Sequence, residues 1–356
     1  MRTRKLLCCT EPRLRGGFTL VEVLVVIAII GVVVAMLVPT LGYAIRKSNE
    51  TALAMEVSAI EVAIIKYRDK YGEYPPDGSS ATDMTRHFRK IFPNIASSEL
   101  TLLTAGSNSS TGITGSVMDP PEALVFFLGG FSDDSVHPFT GAGGPFSATG
   151  IPAIPYQYNI ERNEPLYEFN SGQLTLTIHD ENGTPLTISN DETELGLPTP
   201  PGFVGDLIPV YRPSGRNAPF VYFNSRTYAT AAGFNRYPGQ YPGSIGTARP
   251  YKSDAVNTSA GATSGDTFYR YAEPQKFQII SAGLDDIYGG FVTGSDPTVV
   301  PMFSRFPSGD SLDITQPLAA QGQSQYDRYG LDGQPINYQL DNITNFSDGT
   351  LVDSLP

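Results

Sequence analysis

One carboxylate in this chain stands where a carboxylate is expensive. Glu22 lies four residues after Phe18 and five after Gly17, near the start of an otherwise uncharged Val, Ile, Leu and Ala run that ends at Val38. A charge inside a hydrocarbon-spanning segment costs about 2.5–3.5 kcal/mol on insertion scales, so one that is kept there is by default kept for function. The other chemistry-bearing residue types form no comparable pattern. His87, His137 and His179 are about 40–50 residues apart, far from any metal-ligand spacing. The glycines compose neither G-x-x-x-x-G-K-[ST] nor G-x-G-x-x-G, and there is no G-x-S-x-G elbow, so no enzyme activity is expected. Asp285 and Asp286 end a turn-like stretch, Ala282-Gly283-Leu284, where aspartate commonly caps a turn.

The element that positions Glu22 has to be a helix. From Phe18 to Val38 the apolar run holds about 21 residues, about 31 Å as an α-helix, enough to cross a hydrocarbon core. Arg2, Arg4, Lys5, Arg13 and Arg15 precede it, which puts the leader in the cytoplasm and the bulk of the chain outside. In an ordinary secretory signal the apolar stretch precedes the cleavage site; here the basic leader has no apolar core and the apolar run follows Gly17. Pro39 marks a weak point, where the helix is expected to kink or loosen. Beyond it Leu41, Ile45, Ala52, Met55, Ala59, Ala63 and Tyr67 recur at mostly helical spacing, with Arg46, Lys47, Glu50, Glu56, Glu61 and Lys66 on other faces. The expectation is an amphipathic rod packed on a head through that stripe and stopped by Gly72 and Pro75-Pro76.

The stretch Gly16-Gly17-Phe18-Thr19-Leu20-Val21-Glu22, with the apolar run behind it, resembles the N-terminus of type IV pilins and type II secretion pseudopilins. The resemblance covers about 55 residues closely. It implies cleavage after Gly17, N-methylation of Phe18, and assembly roles for Glu22 and for Pro39, where the helix loosens on assembly. It implies as partners a prepilin peptidase, other pilin-like subunits in a homo-polymer or mixed filament, and an inner-membrane assembly platform. In a filament core Glu22 would be stabilised by the N-terminal amine of a neighbouring Phe18, which lipid cannot provide. The C-terminal part resembles the major pseudopilin of the general secretion pathway. Ser281-x-Gly283-x-Asp285 and Asp341-Asn342-Ile343 match the two sides of that family's calcium loop, with Asn342 where an acid is commoner. The implied ligands are Asp285, Asp286, Asp341 and Asn342, toward the six to eight oxygens that calcium takes.

Composition limits the partners further. The chain of 356 residues has a formal charge of −12; residues 1–17 contain five basic residues and one acidic, so the remainder has 19 against 35, a net of −16. Such a surface repels nucleic acid and anionic headgroups. Both cysteines, Cys8 and Cys9, lie in the leader, with only Leu6-Leu7 as apolar sequence before them, too little for a lipoprotein signal. In the rest, helices are expected over 82–92, 97–103 and from Asp119-Pro120-Pro121-Glu122 to Leu128, and strands over 173–179, 184–188, 207–211, 219–223 and 276–281. Residues 104–118 and 252–266 read as polar loops, and Asp180-Glu181-Asn182-Gly183 as a hairpin turn. The expected fold is α+β and pilin-like: a leader (1–17), a membrane-embedded assembly helix (18–38), its amphipathic continuation (39–72), and an extracytoplasmic antiparallel-sheet head with a large insertion (73–356). The expected product is a single-pass inner-membrane subunit of a type II secretion pseudopilus. The alternatives are an adhesive type IV pilin, or an anchored extracytoplasmic binding protein or enzyme that uses the motif only for export.

Overall fold

The computed structural model describes residues 17, 19–104, 107–108, 113–114, 118–151, 154–176, 178–179, 185–186, 207–229, 237, 246–257, 268–289, 302–313 and 339–356. The leader before Gly17, Phe18, the 180–183 turn and the Pro-Gly steps at 238–239 and 242–243 lie outside these. The fold is α+β: a long apolar N-terminal helix and, in the C-terminal part, small and mainly antiparallel sheets.

Helix α1 (Leu20–Tyr71, 52 residues) ends where Gly72 takes φ +79°, a conformation that costs a glycine little. It runs through Pro39 unbroken. Beside that residue, which has no N–H, the Thr40 hydroxyl donates to the carbonyls of Met36 (3.2 Å) and Leu37 (2.8 Å). The chain divides into two compact units, Met1–Ser48 and Asn49–Pro356. In the first, every described residue is exposed. In the second, α1 buries Leu53, Val57, Ile60, Ala63, Ile64 and Tyr67.

That buried face corrects the expected stripe. Ala63 and Tyr67 are on it, whereas Leu41, Ile45, Ala52, Met55 and Ala59 are exposed. This stretch of helix is apolar on two sides, and the side with the larger branched and aromatic groups wins the core. Each large side chain removed from water contributes about 1.5–3 kcal/mol, which alanine cannot match.

Around that face pack α2 (Ala81–Ile91), α3 (Ser97–Thr104) and α4 (Pro120–Leu128). The Ser80 side chain caps α2 by accepting from Asp83 N at 3.2 Å. Glu122 caps α4 by accepting from Asp119 N at 2.6 Å. All nine α4 residues are buried, as its short apolar sequence requires. Its last carbonyls are held by Arg162, whose Nε donates to Gly130 O (2.9 Å) and Nη1 to Val125 O (3.1 Å).

Strands β1 (Ser107–Asn108) and β2 (Ile113–Thr114) form a short ribbon within the expected 104–118 loop. β3 (Phe146–Ile151) and β4 (Ile154–Tyr158) form a hairpin. β5 (Leu174–Thr175) pairs with β8 (Val210–Tyr211), and β6 (Ile178–His179) with β7 (Pro185–Leu186), both antiparallel. β9 (Val221–Asn224), β12 (Phe277–Ser281) and β15 (Ile343–Thr344) make an antiparallel sheet with β12 in the middle. β10 (Lys252–Val256), β11 (Tyr269–Tyr271), β13 (Met302–Phe306) and β14 (Ser311–Asp313) make a second sheet in which β10 and β13 run parallel. Thus the polar stretch expected to be loop from 252 begins as a strand.

The β9–β12–β15 sheet is covered on both sides. Tyr222, Phe277 and Ile279 join the cluster with α1 and α4, while Val221, Phe223 and Ile280 join a second cluster with Tyr228, Tyr251 and Tyr288. Alternation along each strand sends neighbours to opposite cores. Gln278, fully buried between apolar neighbours, is satisfied by Tyr251 N (2.7 Å), Tyr251 O (3.0 Å) and Ala272 O (2.8 Å).

Candidate functional site

The N-terminal site begins ahead of the helix. Gly17 is exposed and a Cβ built on it would meet nothing within 4 Å. Thr19 is the N-cap, and α1 starts at Leu20. The Glu22 carboxylate reaches back one turn: its Oε2 accepts from Thr19 N (2.8 Å) and from the Thr19 hydroxyl (2.8 Å). Glu22 N donates to that hydroxyl at 3.3 Å. This is a reciprocal capping box, and an acid in the first turn also meets the positive end of the helix dipole. The Thr-x-x-Glu spacing at residues 19–22 carries the signal for it, alongside the membrane and assembly roles expected of Glu22. Beyond it the large apolar side chains up to Val38 are about half to two-thirds exposed. Mean hydropathy over the most apolar stretch of α1 is 3.1, which makes it long and apolar enough to cross a membrane.

The four residues implied as calcium ligands come together only in part. Asp341 Oδ2 accepts from Leu284 N (2.7 Å) and Asp285 N (3.2 Å), so it closes the turn after β12. Gly283 makes that possible, because its φ is +69° and a Cβ there would lie 2.4 Å from Asp341 O. Burial of its carboxyl and, second, the charge of Asp341 push Asp285 up to about 7, although the residue as a whole is exposed. Asp286 faces a different loop, accepting from Asn217 N (3.0 Å) and Ala218 N (3.3 Å). Asn342 is buried, with Nδ2 donating to Tyr251 OH (3.0 Å) and Tyr288 O (3.1 Å). Among the described residues no group of three or more His, Cys, Asp or Glu side chains is arranged to hold a metal. The close pair, Asp285 and Asp341, supplies two carboxylates of the six to eight oxygens that calcium takes.

A buried polar chain that sequence reasoning missed joins α1 to α2. Glu73 accepts from His87 Nδ1 (2.6 Å), and His87 Nε2 accepts from the Tyr67 hydroxyl (2.6 Å). Arg86, Lys90 and Arg226 also converge on Glu73, at 2.9, 3.4 and 3.3 Å. Burial pulls His87 down to about 4. Burial alone would raise Glu73, but hydrogen bonds from Arg86 and His87 outweigh it and bring Glu73 down to about 2. His87 is thus a neutral relay between a phenol and a carboxylate. No local spacing announces a triad drawn from three elements.

The family model of the prokaryotic N-terminal methylation motif matches residues 12–38. No curated protein and no solved structure matches the chain. The match supports a pilin-like chain processed by a prepilin peptidase and, with the apolar helix behind it, anchored in a membrane.

Proposed function

We propose that this chain is a structural subunit of a type II secretion pseudopilus, cut between Gly17 and Phe18, N-methylated on Phe18, and assembled from the inner membrane with its head outside. The observation that carries the reading is the coincidence of the methylation-motif match over residues 12–38 with a helix that starts only at Leu20. Gly17 therefore sits in open, non-helical backbone, which a peptidase can take up without unwinding a helix. Cleavage there leaves a new amine four residues ahead of Glu22. In lipid, Glu22 is satisfied by its own helix start; in a filament the amine of a neighbouring subunit replaces that partner, and the charge pair fixes axial position. A structural role suits the Tyr67–His87–Glu73 chain, since its central imidazole is wholly buried and out of reach of a substrate.

Mass spectrometry of the purified chain tests the cleavage: the expected N-terminus is methylated Phe18, and any other N-terminus overturns the reading. Glu22→Ala tests the assembly role. The run from Val23 to Val38 still drives insertion, so mature monomer accumulates in the inner membrane while filaments shorten or vanish. Removing one partner of a buried pair typically costs about 3–5 kcal/mol per contact. Normal filaments from Glu22→Ala would remove the carboxylate from the assembly mechanism.

A further inference from the structure

The charge-free part of α1 is longer than a bilayer needs. It covers residues 23–45, 23 residues or about 34 Å of helix, against a hydrocarbon core of about 30 Å. Two registers are therefore open to it. If residues 18–38 fill the core, the Glu22 carboxylate lies in hydrocarbon, while Leu41, Tyr43 and Ile45, which are 63, 70 and 55% exposed, are left in water. If residues 23–42 fill it, Leu41 is covered and both borders of the span become polar. Glu22, held by Thr19, then stands at one border, and Tyr43 at the other, 21 residues or about 31 Å away. A phenol suits such a border, with its ring against the acyl chains and its hydroxyl in water. The second register is the cheaper on both counts, since it immerses no charge and wets less apolar surface.

Tyr43 has company at that border. Arg46 and Lys47 follow it by three and four residues, which puts all three on one side of the helix, and both are exposed. The next acid along the chain, Glu50, is buried (8% exposed). A guanidinium meets a phosphate with two parallel N–H···O bonds, and an ammonium meets it as a point charge. The chain beyond the leader has a net charge of −16, so an anionic membrane surface that attracts this turn repels the bulk of the molecule.

We infer that the 43–47 turn is a headgroup site for anionic phospholipid, in the leaflet farther from Glu22, and that this contact sets the depth of α1. Arg46 and Lys47 take the phosphate oxygens, and the Tyr43 ring takes the upper part of the acyl chains. Grip and repulsion are thereby separated along one helix: lipid holds the turn, and the acidic head stands off the surface. At this depth Glu22 lies at the opposite headgroup border, where water and the Thr19 cap both reach it. The inference rests on the reading of the chain as a membrane-anchored subunit, and it adds the class of lipid that the anchor selects.

The chain contains no tryptophan, so Tyr43→Trp puts a single indole at the site. The full-length variant is reconstituted in phosphatidylcholine vesicles in which a fixed minor fraction of the lipid carries bromine, and quenching of the indole is read. Bromine near the headgroup should quench about two-fold more than bromine at the chain ends. Brominated phosphatidylglycerol should quench several-fold more than brominated phosphatidylcholine at the same fraction, and adding Arg46→Gln and Lys47→Gln should make the two equal. High salt should reduce the preference in the same way. Stronger quenching from the chain ends, or equal quenching by the two lipids with Arg46 and Lys47 in place, overturns the inference and leaves the anchored-subunit reading standing. A preference that survives the loss of both cations also overturns it. A chain that does not enter the vesicles removes that reading and this one with it.

Discussion

The two halves of α1 are made of similar residues and live in different solvents. Residues 20–48 are exposed throughout, and 50–71 carry a buried face of Leu53, Val57, Ile60, Ile64 and Tyr67. Valine and isoleucine dominate the first stretch and supply three of those five core residues in the second. The difference is in the polar residues between them. Glu56, Glu61 and Lys66 tie the second half to one orientation, whereas no charge between Val23 and Ile45 prefers any side. Apolar content thus reports that water is excluded, and the placement of charge reports by what: a single head on one side, or lipid and subunits all round.

The largest expected effect comes from separating the halves. Residues 49–356 expressed alone should be a soluble, folded α+β domain, while the full chain needs detergent. Circular dichroism and size exclusion without detergent check this; an aggregated or unfolded product would mean that the head depends on residues 20–48. Next come single side chains. Ile60→Ala or Tyr67→Ala should lower the stability of the head by about 2–5 kcal/mol in thermal or denaturant unfolding. Ile30→Ala, in the exposed half, should change it by less than about 0.5 kcal/mol.

Acid should act on the buried half alone. Folded His87 takes its proton only near pH 4, whereas the unfolded residue does so near 6.5. Between those values the unfolded state holds more protons, so stability falls as pH drops from about 6.5 to 4, by about 3 kcal/mol for such a shift. Glu73 extends the loss from about 4.5 toward 2, because its folded value lies near 2. His87→Gln should flatten the upper window and leave the lower one. A pH profile without the upper slope would show that the Tyr67–His87–Glu73 chain does not hold the helix end.

The smallest effect is expected at the turn after β12. Asp285, raised to about 7 by burial and by Asp341, gives stability that is lost as pH rises through that value. Asp285→Asn should therefore raise the melting temperature by a few degrees at pH 8 and by less at pH 5, because the loss grows from the unfolded value of 3.8 up to about 7. A rise with millimolar calcium at pH 8 that is lost in Asp285→Asn would assign a metal to the Asp285–Asp341 pair. No response to calcium would leave these acids as braces of the turn.

What was legible in the sequence was local. The end of α1 at Gly72, the helix expected over 82–92, the Asp119–Glu122 start of α4 and the strand before Ser281 each have a signal within their own stretch, and each appears close to its expected place. The buried face of α1 was misplaced because periodicity alone could not choose between two apolar sides; only the volume of the surrounding core does. The parallel pairing of β10 with β13, about 50 residues apart, has no local signal. Arg162 gave no hint either, since the carbonyls that hold it exist only once α4 has ended beneath it. At the candidate site the motif over residues 12–38 was legible, and the box that Thr19 closes on Glu22 was visible in the same residues and overlooked.

The β9–β12–β15 sheet has a consequence for how the head comes apart. It is a shared wall, and the two aromatic clusters on either side cannot be melted one at a time without stripping one face of the same strands. The head should therefore unfold in a single cooperative step despite its two cores. In native-state hydrogen exchange, the amides of residues 277–280 and 221–224 should be the last to take up deuterium, opening only with the whole head.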